Sequence, residues 1–408
     1  MSLRSLVVCA VFVALVSPHC LEAAARRRAA TSGSTIVIGA LFSITGDGAT
    51  LGNASAAALD LAVRDINAEF DELHLPYHVQ SIVSDTKLTP SIAAARIADL
   101  YAAGANVVMG PQTSSEAAAV KDYANQHSIV LVSQASTASS LAIAGDYLFR
   151  FAPNDKLEGA AMSALMVTNG IDLVIPMWRA DAGNTGLHDS TKRSFEAAGG
   201  VFGAGVSYDP TTSNFTPLVA TLGAAVRTAR SQNPNAHIAV YLASFEEAAL
   251  IFNAARLDHD LSMVRWYGGD GVVQSQALLN STAAAEFGAM TAFTAPNVGL
   301  DESLRDRWEP LSNEIKAKVG FQPDAYALNV YDAAWVAALA TVESRYRTDV
   351  RAAFVRNVQR YWGVTGPTAL DDNGDRKIGN FDFWTIKDTA GTLDWERTAQ
   401  YASGRIVP

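Results

Sequence analysis

From residue 35 onward the chain alternates short β-branched apolar runs with longer, alanine-rich stretches whose apolar positions recur every three or four residues. This pattern predicts strands over 36–42, 77–84, 106–109, 129–133 and 147–151, with helices over 54–70, 91–103 and 115–126 between them. A second series follows Pro153, with helices over 157–169, 187–198, 217–231 and 246–256 and strands over 173–177, 201–208, 237–242 and 264–267. Repeated βαβ units call for an α/β fold of two doubly wound, mostly parallel sheets, each with helices on both faces. The last stretch adds helices over 304–319 and 325–341 and a turn-rich tail. No low-complexity linker separates the two units, so several short crossings are expected to join them.

The N-terminus breaks this pattern. Arg4 precedes an apolar run over 6–16, and Ala23-Ala24-Ala25 supplies small residues, which is the order of an export signal over 1–25. The run is too short to span a bilayer, and no later segment reads as a membrane span. Cys20 is a poor lipid-anchor site because Ser17-Pro18-His19 leads into it. The expected location is therefore periplasmic or extracytoplasmic. Both cysteines, Cys9 and Cys20, lie in this segment, so the exported chain has no thiol.

Composition narrows the function further. A chain of 408 residues, 49% apolar and 18% charged, is long enough for two or three domains with full cores. Its net charge of −10, with no basic tract beyond Arg26-Arg27-Arg28, leaves no electrostatic footprint for nucleic acid.

In open parallel sheets a ligand sits beyond the carboxyl ends of the strands, which directs attention to the loops there. The first unit offers Ser43-Ile44-Thr45-Gly46-Asp47-Gly48, then Gly110-Pro111-Gln112-Thr113-Ser114-Ser115 running into a helix, then Gln134-Ala135-Ser136-Thr137-Ala138-Ser139-Ser140. Ser114 or Ser115 is placed at the helix N-cap, where free N–H groups and the dipole favour an anion such as a carboxylate. The same serine can equally serve only to cap its own helix. In the second unit Trp266-Tyr267-Gly268-Gly269-Asp270-Gly271 follows a strand and presents Asp270 among glycines, fit to hold an ammonium or to bond its own turn.

Taken together, IVIGALFSITGDGATLG, AALDLAVRDINAEF, GPQTSS, SQASTASS, YLFRFAPND, YGGDGV and GPTALDDNGDR resemble, in order and spacing, the type I periplasmic solute-binding proteins of the leucine/isoleucine/valine-binding group. The resemblance runs from about 35 to 395. It implies two lobes, 35–152 plus 293–378 and 153–292 plus 379–408, with crossings near 152–155, 290–296 and 378–381. It implies that Ser114, Ser115, Ala135 and Thr137 bind a ligand carboxylate, that Asp270 binds its ammonium, and that Tyr326 and Phe245 line the pocket. Leu51 stands where relatives often have tyrosine, and Gly183 lies in a segment lacking the expected pocket tyrosine. The family's cysteine pair is also absent. The implied function is capture of an aliphatic (branched-chain) or aromatic amino acid for the permease subunits of an ABC importer, by a monomer without metal or cofactor. The alternatives are an amide, urea or aromatic-acid ligand, or a sensory role for the same fold.

Catalytic motifs are missing: the chain has no G-x-S-x-G elbow, P-loop or H-E-x-x-H helix. Asp258-His259-Asp260 reads as a solvated surface. The run Asp371-Asp372-Asn373-Gly374-Asp375 reads as a turn, because its glycine is misplaced for a calcium loop.

Overall fold

The structure, a computed structural model, describes residues 34–407 apart from Thr348 and Ile378. The export signal, Cys9, Cys20 and the arginine triplet lie outside the described residues.

The first lobe begins with β1 (Ser34–Phe42), α1 (Ala49–Glu72), β2 (Tyr77–Asp85), α2 (Pro90–Ala102), β3 (Val107–Met109), α3 (Ser114–His127), β4 (Val130–Ser133) and β5 (Leu148–Arg150). The strands form a parallel sheet in the order β2-β1-β3-β4-β5. Helices cover both faces, so the central strands read as unbroken apolar runs: Val130, Leu131 and Val132 are all buried. Helix α1 starts before its expected residue 54. Gly52 lies so close to the Ser43 carbonyl that a Cβ there would stand 1.8 Å from the oxygen, and glycine alone allows that approach.

The second lobe runs through α4 (Asp155–Thr168), β6 (Leu173–Arg179), α5 (Ala182–Ala197), β7 (Val201–Phe202), β8 (Val206–Tyr208), α6 (Thr216–Gln232), β9 (Ile238–Ala243), α7 (Ala248–Ala255), α8 (His259–Ser262) and β10 (Arg265–Gly268). It continues with α9 (Gln276–Asn280), α10 (Thr282–Met290) and β11 (Thr294–Val298). The strand expected over 201–208 is two short pieces. Gly203 and Gly205 let the chain jog between them, and both pieces pair with β6.

The chain then returns to the first lobe as α11 (Arg305–Val319), α12 (Ala325–Arg347), α13 (Val350–Val358) and a small hairpin of β12 (Trp362–Gly363) and β13 (Gly366–Pro367). Over Ala325–Tyr346, α12 is long and apolar enough to cross a membrane, which corrects the sequence expectation. Most of that length is buried in the first-lobe core, where Leu328, Val330, Ala334 and Ala337 pack with Ile38, Leu61 and Phe70.

The tail expected to be turn-rich is instead β14 (Phe381–Thr389), β15 (Thr392–Ala402) and β16 (Arg405–Val407), antiparallel strands that extend the second sheet beyond β11. Their alternation of buried and exposed positions is blurred, because Asp382 is buried between the inward Phe381 and Phe383. Because β11 pairs with β10 and β14, the crossing expected over 290–296 falls after Val298. The first crossing falls between Arg150 and Asp155, and the last between Arg376 and Phe381.

Two of these crossings share one buried ion pair. Arg150, at the end of β5, donates from Nε and Nη2 to the two carboxylate oxygens of Asp375, each at 2.6 Å, and from Nη1 to the Ala138 carbonyl. Both charged side chains are almost wholly buried. Asp371 accepts the N–H groups of Asn373 and Asp375 and shapes the turn that presents Asp375 to the arginine. Removing one partner of a buried pair strands the other charge, so Asp375→Ala is expected to cost about 3–5 kcal/mol of unfolding free energy in chemical denaturation. A loss under about 1 kcal/mol would contradict this assignment.

Candidate functional site

The carboxyl ends of both sheets face one another, and a cavity lies between them, lined by residues of both lobes. The first lobe contributes Leu51, Gln112, Ser114, Ala135 and Thr137, and the second Gly183, Leu187, Phe245, Asp270 and Val273. Tyr326, at the start of α12, closes one wall. Of the residues singled out from sequence, Ser115 alone does not line this cavity. Its Oγ instead accepts the Ala182 N–H across the cleft at 3.2 Å.

The helix cap differs by one residue from expectation. Thr113 is the N-cap of α3: its Oγ1 accepts the Glu116 N–H, and the Glu116 carboxylate accepts the Thr113 N–H in return. Because Thr113 and Glu116 satisfy the cap reciprocally, Ser114 is released for other contacts. Its Oγ pairs with Ser136 Oγ at 3.0 Å and accepts the Ala138 N–H at 3.1 Å, pinning the hydroxyl-rich loop to the helix start. Thr137 in turn accepts the Asp155 N–H through its carbonyl. The first crossing is thereby tied to the same loop.

The opposite side is acidic. Asp270 follows β10, and its Oδ2 accepts the Tyr326 hydroxyl at 2.7 Å, a contact made across the cleft. Behind it, Asp155 and Glu158 occupy the first turn of α4, three residues apart and hence on one face, where the helix dipole favours carboxylates. Glu158 Oε1 accepts the Asp270 N–H at 3.1 Å. Sequence inspection passed over both acids because acids in a first turn are ordinary; their complete burial is what sets them apart.

Burial pushes the Asp270 carboxyl up to about 6, against the opposing effect of the Tyr326 hydrogen bond. Asp155 and Asp324 are both pushed up to about 7, by burial first and the nearby Asp270 charge among the rest. Glu158 is raised well above the usual range by burial and then by the Asp270 and Asp155 charges.

At the rim the lobes are held together by further contacts. The Glu246 N–H donates to the Asp47 carbonyl at 3.2 Å, the Thr50 hydroxyl donates to Glu246, and the Gln276 N–H donates to Thr50 Oγ1 at 3.1 Å. The chain is thus closed over its cavity. Asp258-His259-Asp260 lies elsewhere: Asp258 caps α8 and, with Asp260, engages Arg227 and Arg230.

Residues 54–389 match the family described as the receptor family ligand binding region. The chain is 27% identical over 394 residues to the uncharacterized protein MJ1266 of Methanocaldococcus jannaschii, covering 89% of this chain and 92% of that one. Among solved structures, LivJ of Streptococcus pneumoniae, a branched-chain amino acid transporter substrate-binding protein in complex with isoleucine, superposes with a TM-score of 0.73 at 20% identity, covering 90% of this chain and 100% of LivJ. A type 1 periplasmic binding protein of Bordetella pertussis gives 0.74 at 19% identity, covering 90% and 100%. An ABC transporter solute-binding protein of Rhodopseudomonas palustris in complex with benzoate gives 0.73 at 16%, covering 89% and 96%. At these identities the likeness is one of fold.

The raised carboxyls set a sign for the pH dependence of stability. A carboxyl that titrates near 7 when folded and near 3.9 when unfolded keeps its proton longer in the folded chain. It therefore withdraws stability as pH rises from about 4 to 7. Relative to the parent chain, Asp155→Asn is expected to gain melting temperature progressively over that window. A difference that stays constant with pH would contradict the assignment.

Proposed function

As the chain belongs to the family of receptor ligand-binding regions and has the two-lobed α/β architecture of type I periplasmic binding proteins, we propose that it is the extracytoplasmic solute-binding protein of an ABC importer and takes an amino acid into its cleft. One observation carries this reading: Ser114, Ala135 and Thr137 from one lobe and Asp270 from the other line a single cavity. A ligand carboxylate would rest on the Ser114 hydroxyl and on the N–H groups of Ala135 and Thr137, near the start of α3. Its ammonium would rest on Asp270. Neither Ala135 nor Thr137 is in a helix or strand, so their N–H groups are free of any ladder.

The mechanism is binding without chemistry. A ligand held at both ends belongs to both lobes at once and stabilises the closed arrangement over the open one. The permease subunits would then recognise the closed form. Micromolar affinity requires about 8 kcal/mol. Charge-assisted hydrogen bonds at each end, at about 1.5–3 kcal/mol apiece, and apolar burial against Leu51, Leu187, Phe245 and Val273 supply terms of that size. An aromatic acid such as benzoate fits less well, because it offers Asp270 no cation.

Two measurements test this. A melting screen of amino acids, amides and aromatic acids is expected to give at least one clear upward shift with an amino acid. In calorimetry with that ligand, Asp270→Ala is expected to weaken binding by at least about tenfold. Unchanged affinity would remove Asp270 from the site.

A further inference from the structure

The cavity is lined by four carboxylates, Asp47, Glu246, Asp270 and Asp324, and by no lysine, arginine or histidine. Asp270 and Asp324 repel one another near Tyr326. Asp47 and Glu246 meet at the rim, where they too repel one another. Behind Asp270, the carboxyls of Asp155 and Glu158 are wholly buried.

The nearby protein cations are committed chiefly to other acids. Arg150 is taken by Asp375. Arg179 lies 2.9 Å from Asp181 and 3.3 Å from Glu247, and reaches Asp47 only at 3.8 Å. An amino acid with a neutral side chain brings one ammonium to this acidic cavity and adds one more carboxylate to it. Its binding leaves the excess of negative charge unchanged.

We propose that the ligand carries a second cationic group, as a dibasic amino acid does, and that this group lies between Asp47 and Glu246 while the α-ammonium lies on Asp270. The inference rests on the reading that the cleft holds an amino acid by both ends. It departs from the aliphatic or aromatic ligand that the family resemblance implies. The side-chain methylenes would run along Leu51 and Phe245, which line the same cavity. A long flexible stem with a charged tip suits such an amphipathic wall.

Calorimetry with matched pairs decides the matter: L-lysine against L-norleucine, and L-arginine against L-citrulline, each pair nearly equal in length and differing in the terminal charge. At least one cationic member is expected to bind about tenfold or more tightly than its neutral partner. Glu246→Gln and Asp47→Asn are each expected to shrink that ratio. The half-exposed Asp47 makes the second variant safe for folding. Equal or tighter binding of the neutral members would overturn the inference while leaving the amino-acid reading intact. A cationic preference unmoved by either variant would overturn the placement at the rim. If the melting screen and all four compounds show no binding, the amino-acid reading fails, and this inference with it.

Discussion

Arg150 is the fixed point from which the cleft is built. Its guanidinium holds Asp375, just before the chain leaves the first lobe for the last time, and the Ala138 carbonyl, on the loop that carries Ala135 and Thr137. The arginine itself ends the strand from which the chain first departs. One bidentate, water-excluded pair therefore fixes two crossings and one wall of the cavity relative to one another. A planar, always-charged fork can satisfy three acceptors in a fixed geometry, which an ammonium on a flexible stem cannot. These contacts hold the loop geometry of the first lobe in place.

Against that wall the second lobe presents a group of carboxylates that the protein does not neutralise. Asp155 and Glu158 sit at the start of α4, where the dipole gives back part of the desolvation cost, and Asp270 gains a hydroxyl from Tyr326. These contacts leave the group short of positive charge. Keeping these acids buried withdraws stability from the folded chain as pH rises toward their raised values. The Tyr326–Asp270 hydrogen bond ties this group to the opposite lobe. Leu51 and Gly183 add no hydroxyl of their own to the cavity lining.

Much of this was legible in the chain itself. The alternation of apolar periods marked nearly every strand and helix up to β10, because whether a segment buries one face or both is written into its own residues. The rule that ligands sit beyond the carboxyl ends of parallel strands led directly to the loops holding Ser114, Ala135, Thr137 and Asp270. Three features were not legible. Thr113 took the cap in place of the serines because Glu116 completes the box with it. The membership of β11 in the second sheet depends on β14, some eighty positions later. The C-terminal strands lack clean alternation, since β14 is buried on both faces at its start and open at its end.

The sequence by itself determined the elements, the α/β class and the loops on which a small solute would be held, because hydrophobic period and turn chemistry act over a few residues. Only the tertiary structure decided which acids lose their water and which hydroxyls face the cleft. Desolvation is a property of everything packed around a group, and the neighbours of Asp270 arrive from positions 155, 158, 324 and 326. Their shared charge arises only when the two lobes meet.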